Sequence, residues 1–514
     1  MTRRSAPLVV VQCDAFDPAL TARWMDEGAL PTLAGLRARG AQGALAGRER
    51  VAELGMAMSM YSGVSRIRHG YYDYRQLRPG TYDLYPAAPI DASVLPFWAT
   101  LTGSTVVTID AGEMTPVPGL AGIQLANWTA HQSSTRVVPP CTVPPATVAA
   151  VRRTFGPAPR ISEFQLDSRP EDDRAILDSL LDRVRRKGAL VRQYVTKDVD
   201  LVVVGFFEAH TAGHRFWKYH RGRADGGDLA NALRTVYSTV DREIGALLSH
   251  LRTDANVVVA SLFGMRDEYP TEGLMESFCR QLGYQASPNG RRSGVDPRPG
   301  SDSFVSRVAN VVPGSVRTAI SRRLPTEFQE RRLTETFRTS TDWTRTLAFS
   351  IPSLYSGHIR VNVRGREPQG VVEAGTEYRE LIDRLETDLR AIEDPVTSAP
   401  AIRAVHRTAD LFGEALPELL PDLFVEWEGS THFRRHVVHP RGELRQDPPA
   451  YFRDSFHTLE GFLIASGPDI GARGVVPAID VLDIAPTFLS LLQRKAASWM
   501  TGSVAHAILN GSAG

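Results

Sequence analysis

Two histidines four residues apart, His210 and His214, follow directly on the apolar run Asp200–Phe207 (DLVVVGFF), in the segment E-A-H-T-A-G-H. If a helix opens there, the two share one face and both imidazoles can reach a single metal ion. Histidines at this spacing also cap helices or populate surfaces, so it is the place at the end of a buried run that points to ligation. A second candidate is Asp14, which ends the run Pro7–Asp14 (PLVVVQCD). An acid at a strand's carboxyl end can bind a metal, or it can cap the next helix. The capping role suits Asp17 better, because Pro18 follows it. A third run, Asn256–Phe263 (NVVVASLF), delivers Leu262 and Phe263, which neither bind a metal nor move a proton. His457 stands in S-F-H-T-L-E-G and by itself reads as a loop histidine. His432, His436 and His439 lie in a basic loop (THFRRHVVHP) and read as solvated, not ligating.

These residues need elements to hold them. Together with Gly461–Ser466 (GFLIAS), the three Val-rich runs read as fully buried strands. Residues 18–40, 172–190, 227–252, 376–393 and 480–493 have helical periodicity, with Val236, Val240, Ile244, Leu247, Leu248 and Leu251 forming one apolar stripe. Such alternation predicts an α/β fold with a mostly parallel central sheet flanked by helices, whose ligands sit at the carboxyl ends of the strands. Residues 286–345, first rich in Gly, Pro, Ser and Arg and then basic and helix-like, read as an insertion over or beside the site. The alternating HIRVNV at 358–363 suits an antiparallel strand of a smaller α+β subdomain. The expected division is a first core part at 1–285, the insertion at 286–345, the subdomain at 346–435 and a second core part at 436–500.

Bulk composition narrows the function. The chain has 514 residues, 42% of them hydrophobic and 23% charged, and a formal net charge of +1. That balance excludes nucleic acid or an acidic membrane as the main partner and leaves a small-molecule ligand. Only four lysines occur, Lys187, Lys197, Lys218 and Lys495, so arginine supplies nearly all the positive charge. Three cysteines without C-x-x-C spacing, a start too short for a signal peptide and no apolar stretch of spanning length together read as a cytoplasmic protein.

Taken in order, these segments resemble the alkaline phosphatase superfamily, in its type I phosphodiesterase/nucleotide pyrophosphatase branch. LVVVQCDAFDPALTARWMDEGALPTLAGLRARGA is similar to that branch's first strand, aspartate and helix. MSMYSGVSRIRHGYYDY resembles its T-G-x-x-P-x-x-H-G segment, and FFEAHTAGHRFW its D-x-x-x-H metal motif. GHIRVNVRGREPQGVV, DLFVEW, SFHTLEGFLIASGPDI and DVLDIAPTFLSLL are similar to its C-terminal half. The resemblance implies two metals flanking a Ser or Thr nucleophile, but the positions here depart from that pattern. One metal's ligands fall on His210, His214 and His457. Of the other metal's ligands Asp14 remains, whereas the D-H pair falls on Leu262-Phe263. The nucleophile position falls on Glu53; Ser59 and Ser62 map to packing positions of a helix. The resemblance therefore implies one divalent metal on three imidazoles, completed by Glu53 or Asp14, with zinc first and iron or manganese as alternatives. Glu53 would then serve as general base. Arg66, Arg68, Arg215 and Arg266 lie near these motifs and are expected to clamp an anionic phosphate- or sulfate-like substrate. Trp128, His131, Trp217 and Tyr219, with the insertion, would shape specificity. The expected activity is hydrolysis or group transfer on that small molecule. The alternatives are a repurposed lyase, isomerase or oxygen-dependent metalloenzyme, and an inactive binding protein.

Overall fold

The computed structural model describes residues 5–129, 138–157, 161, 169–288, 326–449, 452–471 and 474–509. The Val-rich runs become strands because β-branched side chains suit a pleat covered on both faces. The fully buried β1 (Leu8–Cys13) leads into α1 (Pro18–Asp26) and α2 (Pro31–Arg39). Asp17 caps α1, accepting from the Leu20 N–H at 2.9 Å, with Pro18 in the first turn. Next come β2 (Ala41–Ala46), α3 (Met56–Ser62), β3 (Thr105–Ile109), β4 (Ala121–Ala126) and β5 (Cys141–Val143). The long α4 (Pro170–Tyr194) precedes β6 (Leu201–Phe206), α5 (Glu208–His220), α6 (Ala232–Leu248) and β7 (Asn256–Ser261).

The chain continues through β8 (Gly264–Asp267), α7 (Glu272–Gln281), α8 (Thr326–Thr339), β9 (Ala348–Ile351), β10 (Gly357–Val361) and α9 (Thr376–Arg390). It ends through β11 (Ile402–Arg407), β12 (Leu423–Trp427), β13 (Ser455–Thr458), β14 (Phe462–Ser466), β15 (Gly474–Val475) and α10 (Ile484–Leu491). The central sheet has the order β15-β2-β14-β7-β1-β6-β3-β4-β5. β7, β1, β6, β3 and β4 run parallel, and β14 enters antiparallel to both β2 and β7. Side chains alternate across β1: Val9 and Val11 join an apolar cluster with α1, α2, α4, α5 and α6. Leu8 and Val10 join another with α3 and α10. Each such aliphatic side chain contributes about 1.5–3 kcal/mol by leaving water. That rigid layer fixes the carboxyl ends of β1, β6 and β7 beside one another.

The antiparallel strand expected near 358–363 is β10, which pairs with β9 and β12 in the order β9-β10-β12-β11. Of the expected insertion, residues 289–325 lie outside the described residues. α8 returns to pack on the core, with Arg75 bridging to Glu330 at 2.9 Å and Phe337 beside Trp343. The helix expected at 480–493 is shorter, because the Asp480 side chain accepts from Leu482 N and starts a 3-10 turn before α10. Among the described residues no helix is long and apolar enough to cross a membrane.

Candidate metal centre and its cleft

α5 starts one residue after β6, so both of its histidines face the ends of the neighbouring strands. His210 and His214 are buried, at 1% and 0% exposure. Gly213 between them lets the helix approach β8: a Cβ there would meet Met265 Sδ at 2.8 Å. His457 arrives from the opposite end of the chain. β8 pairs antiparallel with β13, setting Met265 opposite His457. The ligand atoms of His210, His214 and His457 all lie within 4.8 Å of one another.

The hydrogen bonds of these rings test whether a cation fits. His214 Nδ1 faces the Ser455 carbonyl at 3.1 Å, and His457 Nδ1 faces the Gly264 carbonyl at 3.3 Å. A carbonyl only accepts, so both rings carry their proton on Nδ1. Their Nε2 atoms are nevertheless 3.1 Å apart. Two unprotonated nitrogens cannot bond to each other, and a cation between them relieves the opposition. Two nitrogens on one tetrahedral zinc lie about 3.3 Å apart. His210 Nδ1 faces Asp14 Oδ2 at 3.0 Å, the carboxylate–histidine pairing that fixes a metal-binding ring. The donor set fits a divalent ion.

Glu53 completes this arrangement, with Oε1 3.5 Å from His457 Nε2. Its loop is held by Arg66, whose fully buried guanidinium donates to the carbonyls of Glu49, Ala52, Leu54 and Tyr71. Glu113 secures the other side, accepting from Gly55 N at 2.8 Å and Met58 N at 2.9 Å at the start of α3. Gly55 is required there, since φ is +87° and a Cβ would strike the Tyr71 carbonyl. Burial pushes the Glu113 carboxyl up to about 7 against the pull of those two N–H groups. From the centre opens a cleft lined by Asp14, Glu53, Glu113, Tyr71, Tyr74 and Phe263, among others.

The family model of type I phosphodiesterases and nucleotide pyrophosphatases matches residues 8–312, more than half of the chain. The chain belongs to this family. Its members, within the alkaline phosphatase superfamily, are hydrolases of phosphoester type and typically depend on divalent metal. No curated protein sequence matches the chain significantly. A phosphonoacetate hydrolase from Sinorhizobium meliloti 1021, solved in complex with phosphonoformate, is similar in structure. Its TM-score is 0.48 at 13% identity, with 96% of each chain covered.

Against the family pattern, the ends of β1 and β6 carry polar groups, whereas the end of β7 carries apolar ones. Leu262 is fully buried in the cluster that contains Met56 and Leu463. The Phe263 ring lies 5.7 Å from the His457 ring and walls the centre. Ser59 Oγ donates to Glu49 and faces His69 Nε2 at 3.0 Å. His69 Nδ1 accepts from Tyr71 N, so Nε2 holds the proton and donates to Ser59. That wiring is the reverse of a base activating a nucleophile.

The structure does not bring the four arginines to the cleft. Arg66 is spent on backbone carbonyls, and Arg68 is exposed. Arg215 pairs with Asp173, and Arg266 pairs with Glu426 at 2.9 Å and Glu268 at 3.2 Å. Arg66, Arg215 and Arg266 are each turned away by nearer acceptors. Trp128, Trp217 and Tyr219 belong to the core and do not line the cleft, and His131 lies outside the described residues. His439, expected in a solvated loop, is a buried strand residue 3.7 Å from Asp388.

Other residues around the centre went unread in the sequence. Glu113 and Asn127 lie past the ends of β3 and β4 with φ of 58° and 63°, conformations uncommon outside glycine. The runs T-V-V-T-I and A-G-I-Q-L-A that precede them could have flagged both. Behind α5, the fully buried Lys187 donates to the Gly205 carbonyl at 2.6 Å and sits 3.3 Å from Glu208 and 3.4 Å from Asp110. Burial alone would raise the Glu208 carboxyl, but Lys187 and Arg183 outweigh it and hold it below the usual range.

Proposed function

We propose that the chain is a mononuclear metal-dependent hydrolase of phosphoester-type bonds on a small molecule, its ion held by His210, His214, His457 and Glu53. The observation that carries this reading is the pair of facing Nε2 atoms, 3.1 Å apart with both Nδ1 protons committed to carbonyls. A divalent ion in such a set supplies Lewis acidity, lowering the pKa of water and offsetting charge on a phosphoryl oxygen. The remaining work belongs to the protein. Asp14 orients His210 instead of filling the coordination sphere. Phe263 and Leu262 exclude water on one side and make a second divalent charge there costly. Three neutral imidazoles and one carboxylate suit zinc, with iron or manganese as the alternatives. With Glu53 at the nucleophile position that the family pattern marks and Ser59 committed to Glu49 and His69, direct attack by water is favoured over a covalent route, and Glu53 is the group placed to take its proton.

The test is elemental analysis of the purified protein, together with hydrolysis of bis(p-nitrophenyl) phosphate before and after chelation and in Glu53→Gln. About one metal per chain, with turnover lost on chelation and restored by the same ion, is the expected result. In Glu53→Gln, turnover falls and metal is retained if the carboxylate acts as base, or both fall if it is a ligand. Two metals per chain, or turnover indifferent to chelation, would sink the reading.

A further inference from the structure

The turn between β1 and α1 carries two carboxylates, and both are directed at the centre. Asp14 Oδ2 faces His210 Nδ1 at 3.0 Å. Asp17 caps α1 with one oxygen only: Oδ1 accepts from Leu20 N at 2.9 Å. Its Oδ2 accepts from Met265 N at 3.1 Å, 248 positions further along the chain. The peptide that gives this N–H is the one whose carbonyl, that of Gly264, faces His457 Nδ1 at 3.3 Å. One peptide group thus lies between a carboxylate and a ring of the centre, donating to the first and accepting from the second. Donation to an anion concentrates charge on the carbonyl oxygen. That oxygen then holds the Nδ1 proton more firmly and leaves Nε2 richer in electrons for a cation. Asp17 is itself buried and clamped. Its N–H donates to the Tyr237 hydroxyl at 2.8 Å, that hydroxyl donates to the Ala15 carbonyl at 3.0 Å, and the Tyr237 ring stacks on Phe16 at 3.8 Å. Capping α1 requires neither the Met265 contact nor this clamp.

We infer that Asp17 is a positioning residue for His457, acting through the Gly264–Met265 peptide as Asp14 acts on His210 directly. This role rests on the reading above that His457 holds the ion. One turn at the end of β1 then orients two of the three imidazoles, while the Ser455 carbonyl orients the third, His214.

The test is Asp17→Asn. Asparagine caps a helix as well as aspartate does, so α1 keeps its start. The amide has no charge, and with its oxygen on Leu20 it turns an NH2 group towards the Met265 N–H. Asp17→Ser, which caps with a single oxygen, is the second variant should the first not fold. Asp241→Asn is the control, because Asp241 accepts from Thr32 N and Leu33 N and holds the start of α2 instead. Zinc affinity, by competition with a chromophoric chelator, should fall at least ~3-fold in the Asp17 variants and stay within about 1.5-fold in the control. With 15N-labelled histidine, the Nδ1–H signal of His457 is assigned by its loss in His457→Ala. In the Asp17 variants it should move further than those of His210 and His214. Unchanged affinity, an equal fall in the control, or a His457 signal that moves no further than the other two overturns the inference. If the wild type binds no zinc, manganese or iron(II), the proposed function fails, and the histidine signals of the metal-free protein still decide whether Asp17 acts on His457.

Discussion

Removing one imidazole should abolish at least about a third of the stability that a metal in the proposed centre would give this protein. An ion that binds only the native state adds about 4.1 kcal/mol at a concentration 1,000 times its Kd. For 514 residues, an unfolding entropy of about 2.1 cal/mol/K per residue comes to ~1 kcal/mol/K, so saturation should raise Tm by about 4 °C. His214 is fully buried and contributes one of the two facing nitrogens. Loss of even an outer partner of a metal ligand weakens binding about 10–100-fold, roughly 1.4–2.7 kcal/mol, and loss of a ligand costs at least that. In His214→Ala the shift should therefore fall to about 2.5 °C or less. The assay is thermal denaturation after chelation and after addition of zinc, manganese or, without oxygen, iron(II), with metal content measured in parallel. An equal shift in wild type and variant would refute the reasoning. So would the absence of any shift with all three ions.

Three further outcomes are expected. Asp14→Asn removes the anionic partner of His210. It should weaken metal binding about 10-fold or more in competition with a chromophoric chelator, and unchanged affinity would remove Asp14 from the centre. Lys187→Met leaves Asp110 and Glu208 with one fewer buried partner. The cost should be about 3–5 kcal/mol in denaturant unfolding, and a loss under ~1 kcal/mol would mean that Arg183 alone suffices. Asp73 and His358 form a buried pair 3.7 Å apart, with burial raising Asp73 to about 6 and lowering His358 to about 3. Between about pH 4 and 6 the native state holds the proton on Asp73 and the unfolded state holds it on His358, so their effects on stability oppose each other. Relative to wild type, His358→Leu should lose stability as pH rises through that window and Asp73→Asn as pH falls, each by up to about 1.4 kcal/mol per pH unit. Slopes of the same sign would refute the pairing.

The strand ends of β1, β6 and β7 were legible because a strand buried on both faces shows as an uninterrupted apolar run, and the α/β rule then marks the next residues. The pair His210 and His214 was legible for the same reason. His457 was legible only through the family resemblance, since its neighbours look like loop; the β8–β13 pairing that brings it home is a long-range contact without a local signature. The four arginines sit near the motifs in sequence, but nearness along the chain says nothing of side-chain direction. Arg66 shows the consequence, folding inward to collect four backbone carbonyls. β3 and β4 escaped notice because threonine, glycine and glutamine interrupt their apolar runs, and Glu113 and Asn127 were lost with them. Lys187, an ordinary helix residue by pattern, is buried only because α4 packs across the end of β6.

β14 lies between β2 and β7 in space, although both partners precede it by about 200 residues or more in the chain. During synthesis, the strands that will flank it must therefore wait as unpaired edges. His214 and His457 are 243 residues apart, so at ~5–20 residues per second about 12–50 s pass between their appearances. Through that interval a nascent chain carries two of its three imidazoles and no means of holding an ion firmly. The strand that closes the sheet follows within a few residues of the last histidine. If the proposed centre holds its ion, acquisition of metal thus requires translation to have passed His457, just before β14, and a chain interrupted earlier is left both open-edged and metal-free.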